Sequence, residues 1–136
     1  MATLKPEVEP RWLPLDEARR LNEADLAESG GGAAIVDTES LERALQRARM
    51  LWGYHDERDV VRLACGVLAG ILEERPFARG NLSTALASLM LFLRINGYRW
   101  SGPDGAVLAA YVQALADGRY TEEGLAETLR PDVFPS

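Results

Sequence analysis

Cysteine and histidine are nearly absent: the 136 residues include one of each, Cys65 and His55. A single cysteine excludes an internal disulfide and fits a reducing compartment. One cysteine and one histidine cannot furnish a zinc site with the usual ligands. No run of about 18 apolar residues occurs, so no membrane span is expected. The opening MATLKPEVEPRW lacks the apolar segment of a signal peptide. Cytoplasmic is the expected location. Basic residues are in deficit, 15 Lys and Arg against 21 Asp and Glu, for a net charge of −6. Phosphate backbones want a basic face, so free nucleic acid is not an expected partner, although a local basic patch is compatible with the composition.

What is present is the material of one compact domain. The 47% hydrophobic content suffices for a core without staples. Residues 1–12, with Pro6 and Pro10, read as a loose arm, and residues 13–136 as a single domain. LDEARRLNEADLA (15–27) predicts a first helix, which the Gly30–Gly32 turn stops. AAIV (33–36) reads as one extended segment. Asp37 or Thr38 caps a helix running to about Trp52, with Gly53 at its end. Asp59 opens VVRLACGVLAGILEE, apolar on most faces and therefore buried. Its Gly66 and Gly70 suit close helix packing, and Cys65 reads as core filler. Asn81–Asn96 is expected to form the central buried helix, with Gly97 supplying a left-handed end. Tyr98–Trp100 reads as extended. Pro103-Asp104 precedes a helix closed by Gly118, and Thr121 caps a last one stopped by Pro131. The expectation is an all-α domain of about six helices around the helix at about 81–96.

Chemistry concentrates in one stretch, Arg75-Pro76-Phe77-Ala78-Arg79-Gly80-Asn81. A helix starting near Gly80-Asn81 aims free N–H groups at the loop mouth, a ready anion site. Gly80 permits close backbone approach, and Asn81 suits either a cap or a ligand contact. Arg75 and Arg79 bracket Pro76-Phe77 and supply cations. The alternative is an ordinary loop in which Phe77 plugs the core and Asn81 only caps. Elsewhere Asp56, Glu57 and Asp59 read as a solvated acidic run favouring the next helix start. The triglycine is not a phosphate loop, since no Lys-Ser/Thr follows it.

The run from Arg75 to Ala85, RPFARGNLSTA, resembles the signature of the Fic/Doc superfamily in its death-on-curing branch, His-Pro-Phe-x-Asp-Gly-Asn-Lys-Arg-Thr-Ala. LMLFLRINGY is similar to the family helix that follows, and GGGAAIVDTESLERALQRAR to its upstream Gly-rich segment and helix. The resemblance covers roughly residues 12–130 and implies the same all-α fold. It also implies transfer of a nucleotide or phosphate onto a protein hydroxyl, and neutralisation by an antitoxin helix lying in a groove. The departures fall on the chemistry. Arg75 stands at the position of the general base, Arg79 at that of the metal-binding acid, Leu82 at the Lys and Ser83 at the phosphate-gripping Arg. Pro76, Phe77, Gly80, Asn81, Thr84 and Ala85 match. An arginine cannot accept a proton or hold Mg²⁺, and losing a general base costs about 10²- to 10⁴-fold.

These residues predict no metal site and no required cofactor. A nucleotide or phosphate would bind without Mg²⁺ at Arg75, Arg79, Gly80, Asn81 and Ser83, on a loop shaped by Pro76 and Phe77. Glu74 and His55 are the candidate replacement bases. Three functions stand side by side. One is a pseudoenzyme binding an anion, nucleotide or protein. Another is an active toxin transferring phosphate or a nucleotide. The third is an interaction module whose partner is an antitoxin-like helix, another protein or a second copy in a homodimer.

Overall fold

The computed structural model describes residues 8–103 and 105–136. Six helices follow one another: α1 (Leu15–Glu28), α2 (Thr38–Gly53), α3 (Val60–Glu74), α4 (Asn81–Ile95), α5 (Gly105–Ala116) and α6 (Glu122–Leu129). Two short strands, β1 (Tyr98–Trp100) and β2 (Val133–Pro135), pair antiparallel with Tyr98 opposite Pro135. The all-α expectation and the six helices hold.

Local chemistry sets the helix ends. The carboxylate of Asp37 accepts from the Ser40 N–H and caps α2, so Asp37 rather than Thr38 is the cap. That bond holds the Asp37 carboxyl below its ordinary range. Asp59 caps α3 through Val61 N–H, and Thr121 caps α6 through Gly124 N–H. Gly97 and Gly118 leave α4 and α5 with φ of 86° and 76°.

Two helices form the centre. α4 touches α1, α3, α5 and β1, as expected of a central element. α3 is the more deeply buried, with Val60, Val61, Leu63, Ala64, Cys65, Val67, Leu68 and Ile71 all inside. On α4 the residues Leu82, Leu86, Met90 and Leu91 stay half-buried. Burial pushes the Cys65 thiol up to about 12, which suits the filler it was expected to be. A polar lattice fastens α6 beneath this pair: Glu122 accepts from Arg47 of α2 at 2.6 Å and from Arg62 of α3 at 3.2 Å. Arg130 pairs with Asp59 at the start of α3.

Residues 1–7 of the arm lie outside the described residues, as does Asp104 of the predicted α5 start. From Pro10 the chain is docked and no longer reads as a loose arm. Pro10 is buried, Trp12 stacks on Phe92 at 6.0 Å between centroids, and Arg11 exchanges two hydrogen bonds with Asn96. The pairing of β1 with residues beyond Pro131 was not foreseen. The 3-10 turn at Arg130–Asp132 turns the chain back, and the Ser101 N–H donates to Asp132 O at 2.7 Å. No helix is long and apolar enough to cross a membrane among the described residues.

Gly70 has the packing role its spacing suggested: a Cβ there would stand 2.2 Å from the Ala44 carbonyl oxygen of α2. Gly70→Ala is expected to part α2 from α3. Overpacking of about 1–3 kcal/mol outweighs the roughly 1 kcal/mol of helix propensity regained. Gly53→Ala, which meets nothing within 4 Å, should be near neutral. Urea unfolding of both variants checks the contrast.

Candidate anion-binding cleft

The loop between α3 and α4 is built before any ligand is considered. Pro76 disfavours the helical conformation at the residue before it, and Arg75 leaves α3 in the left-handed region at φ 47°, ψ 57°. An exposed arginine so placed is strained, since the Cβ crowds the backbone there. The loop then runs beside the 33–36 segment, which is extended as expected at its end. Val36 bridges Phe77, Asp37 N–H donates to Pro76 O at 2.8 Å, and Ala78 N–H donates to Ile35 O at 3.0 Å. The Phe77 ring is buried in the core.

Asn81 completes the loop in a way the sequence did not specify. The N-cap position of α4 belongs to Gly80, at φ 80°, and no side chain caps it. Asn81 is the first helical residue, so its amide turns back across the loop. Its Oδ1 accepts from Phe77 N–H at 3.0 Å and its Nδ2 donates to Phe77 O at 2.7 Å. Asn81 therefore clamps the loop and does not cap the helix. Gly80 is needed twice, for its φ and for space. A Cβ would stand 2.6 Å from Asp25 Oδ2 and 3.2 Å from Asn22 Nδ2 of α1. Asn22, buried and not anticipated, donates to Arg79 O at 2.9 Å and to Thr84 Oγ1 at 3.1 Å.

Above this frame lies an open cleft of about 420 Å³. Arg75, Arg79, Gly80, Asn81 and Ser83 all line it, so every residue predicted for anion binding reaches one place. The first-turn N–H groups of α4 have no intrahelical acceptor and face the loop mouth. The opposite wall is Gln113, Ala116 and Asp117 at the end of α5, which sequence reasoning missed. Hydrogen bonds from Arg119 and Gln113 hold the Asp117 carboxyl below its ordinary range, so it stays charged and occupied. Arg79 donates to Gly31 O at 2.6 Å. Neither Arg75 nor Arg79 forms an ion pair among the described residues, whereas Arg43, Arg47, Arg58, Arg62 and Arg130 all do.

The two candidate bases lie elsewhere. His55 and Glu74 line a separate cavity with Arg43, Arg47 and Glu73, on the α2–α3 side. Glu74 is paired there with Arg43 at 3.0 Å. Among the described residues no three His, Cys, Asp or Glu side chains converge to hold a metal ion. Arg79, which the resemblance sets at the family's acid position, carries N–H donors only and offers no oxygen to a metal ion.

No family model matches the chain. Its sequence is 28% identical over 120 residues to the protein kinase doc of Escherichia phage P1, spanning 88% of this chain and 94% of that protein. Similarity of that extent, along nearly the whole of both chains, is distant homology.

The clamp makes a prediction that separates loop-building from ligand contact. Asn81→Ala leaves the Phe77 N–H unpaired in a buried place and is expected to destabilise by about 2–3 kcal/mol. Ser83→Ala, exposed on the same turn, should be near neutral. Thermal unfolding of the pair tests this, and equal losses would refute the clamp.

Proposed function

We propose that this distant homologue of the Doc kinase binds a phosphate-bearing ligand in the α3–α4 cleft without Mg²⁺, and that it does not run the transfer reaction of its relatives at a useful rate. The observation that carries the reading is the state of the two cleft arginines. In a chain of net charge −6, they stand at the mouth of a helix N-terminus with no carboxylate paired to either among the described residues. Two guanidinium groups supply part of the charge a metal would bring, and they grip phosphate oxygens in forked geometry.

The transfer reaction needs a group to take the hydroxyl proton and a counter-charge at the phosphate. The cleft offers the second need through its arginines. For the first, Asp117 is the acid that lines the cleft, and its oxygens already accept from Gln113 and Arg119. His55 and Glu74 line another cavity. This arrangement favours binding over catalysis.

A second reading, an interaction module, draws support from α5. No residue of Gly105–Ala116 is charged, and only Leu108 and Val112 are buried, so Val107 and Tyr111 face outward. Relatives of this kind typically pair with an antitoxin, and an apolar helix face is suited to a protein partner or a second copy.

The two readings part in a thermal-shift panel of nucleotides and inorganic phosphate, run with Mg²⁺ and with EDTA. Under the binding reading a ligand at 100 times its Kd stabilises by about 2.7 kcal/mol, with or without metal, and Arg75→Ala/Arg79→Ala removes the shift. A shift that needs Mg²⁺, or one that survives the double substitution, would sink it. No shift, together with a concentration-dependent dimer by light scattering, would favour the interaction module.

A further inference from the structure

We infer that the Gly30–Gly32 loop is a latch on this cleft: the Gly31 carbonyl holds the Arg79 guanidinium, and an anion entering the cleft takes it away. The inference rests on the binding reading above. The loop begins at the end of α1, where Ser29 N–H donates to Asp25 O and Leu26 O and Gly31 N–H donates to Leu26 O at 2.6 Å. Gly30, Gly31 and Gly32 then take φ of 108°, 83° and 112°, a run of left-handed conformations open to glycine and strained for other residues. The path delivers the Gly31 oxygen to Arg79 Nη2 at 2.6 Å. Loop and guanidinium touch closely, since a Cβ on Gly32 would stand 2.2 Å from that same nitrogen.

The two partners differ in freedom. The Arg79 backbone is held by Asn22, and the neighbouring Ala78 by Ile35. Gly30 and Gly32 are exposed and Gly31 is half-buried, and Cβ atoms on Gly30 and Gly31 would meet nothing within 4 Å. A change in this contact therefore moves the Arg79 side chain and the loop, and leaves the motif backbone in place. They also differ in what they offer the cation. A carbonyl is a neutral acceptor that takes one of five N–H donors. A phosphate is charged and accepts two at once, in bonds roughly twice as strong. The latch thus holds Arg79 in the empty cleft and yields it to an anion.

Amide hydrogen exchange on the full chain reads the loop directly, with saturating inorganic phosphate as the probe. Arg79→Ala should speed exchange at the Gly31 amide by about tenfold, the equivalent of one hydrogen bond of ordinary net strength. Phosphate should do the same to the wild type and nothing more to the variant. Gly32→Ala, which crowds Arg79 off the loop, should tighten phosphate binding several-fold by calorimetry. Unchanged loop exchange in Arg79→Ala would overturn the latch, as would a loop that stays protected with phosphate bound. Equal phosphate affinity in wild type and Gly32→Ala would also overturn it. No phosphate binding in either protein would instead sink the binding reading, while exchange in Arg79→Ala still decides whether the contact holds the loop.

Discussion

The grip of the Asn81 amide on both backbone groups of Phe77 is the contact from which the site follows. It folds the chain so that the Phe77 ring enters the core while the loop edge meets Val36. It sets α4 going from Gly80 in the one direction that packs against α1. A buried N–H and C=O would otherwise lack partners, and leaving either unmade costs more than an average hydrogen bond contributes. The cleft is thus a by-product of a loop held from within the protein, and its shape does not wait for a ligand.

That constraint accounts for the residues that match the signature the loop resembles. Pro76, Phe77, Asn81, Thr84 and Ala85 are buried, and Gly80 is pressed against α1. Each has a contact that the fold needs: Pro76 with Asp37, Thr84 with Asn22, Phe77 and Ala85 with the core. The positions that differ are Arg75, Arg79, Leu82 and Ser83, all exposed or half-exposed on the cleft. Packing dictates the first group and is indifferent to the second. The shape of the loop and the chemistry of the cleft are therefore set by different residues.

The same division decides what could be read in the sequence. Helix ends were legible because caps and glycines act locally: Asp37, Asp59, Thr121, Gly97 and Gly118 all do what their residue types suggest. The grouping of Arg75, Arg79, Gly80, Asn81 and Ser83 was legible because they are neighbours in the chain. Asn22, Gln113 and Asp117 were not, because only tertiary packing brings α1 and α5 to the loop. The β1–β2 pairing escaped notice for the same reason, being a contact between residues 98–100 and 133–135 with weak local signal. Asn81 starts the helix as expected, but its side chain, read as suited to a cap or a ligand contact, points back to both backbone groups of Phe77.

Arg75 bears on the functional question from a different side. It sits in the left-handed region with its side chain exposed, and no buried contact demands an arginine. Glycine would relieve the strain, and the loop path is already secured by Asn81, Val36 and Gly80. A strained, exposed residue is informative because the fold gains nothing from its side chain. What the side chain does have is a place on the cleft wall, near the α4 N-terminus and in no ion pair among the described residues. Most other arginines of the chain are neutralised by its excess of acids. A positive site in an acidic protein, at a position where backbone conformation alone favours glycine, is the feature on which the proposed anion binding rests.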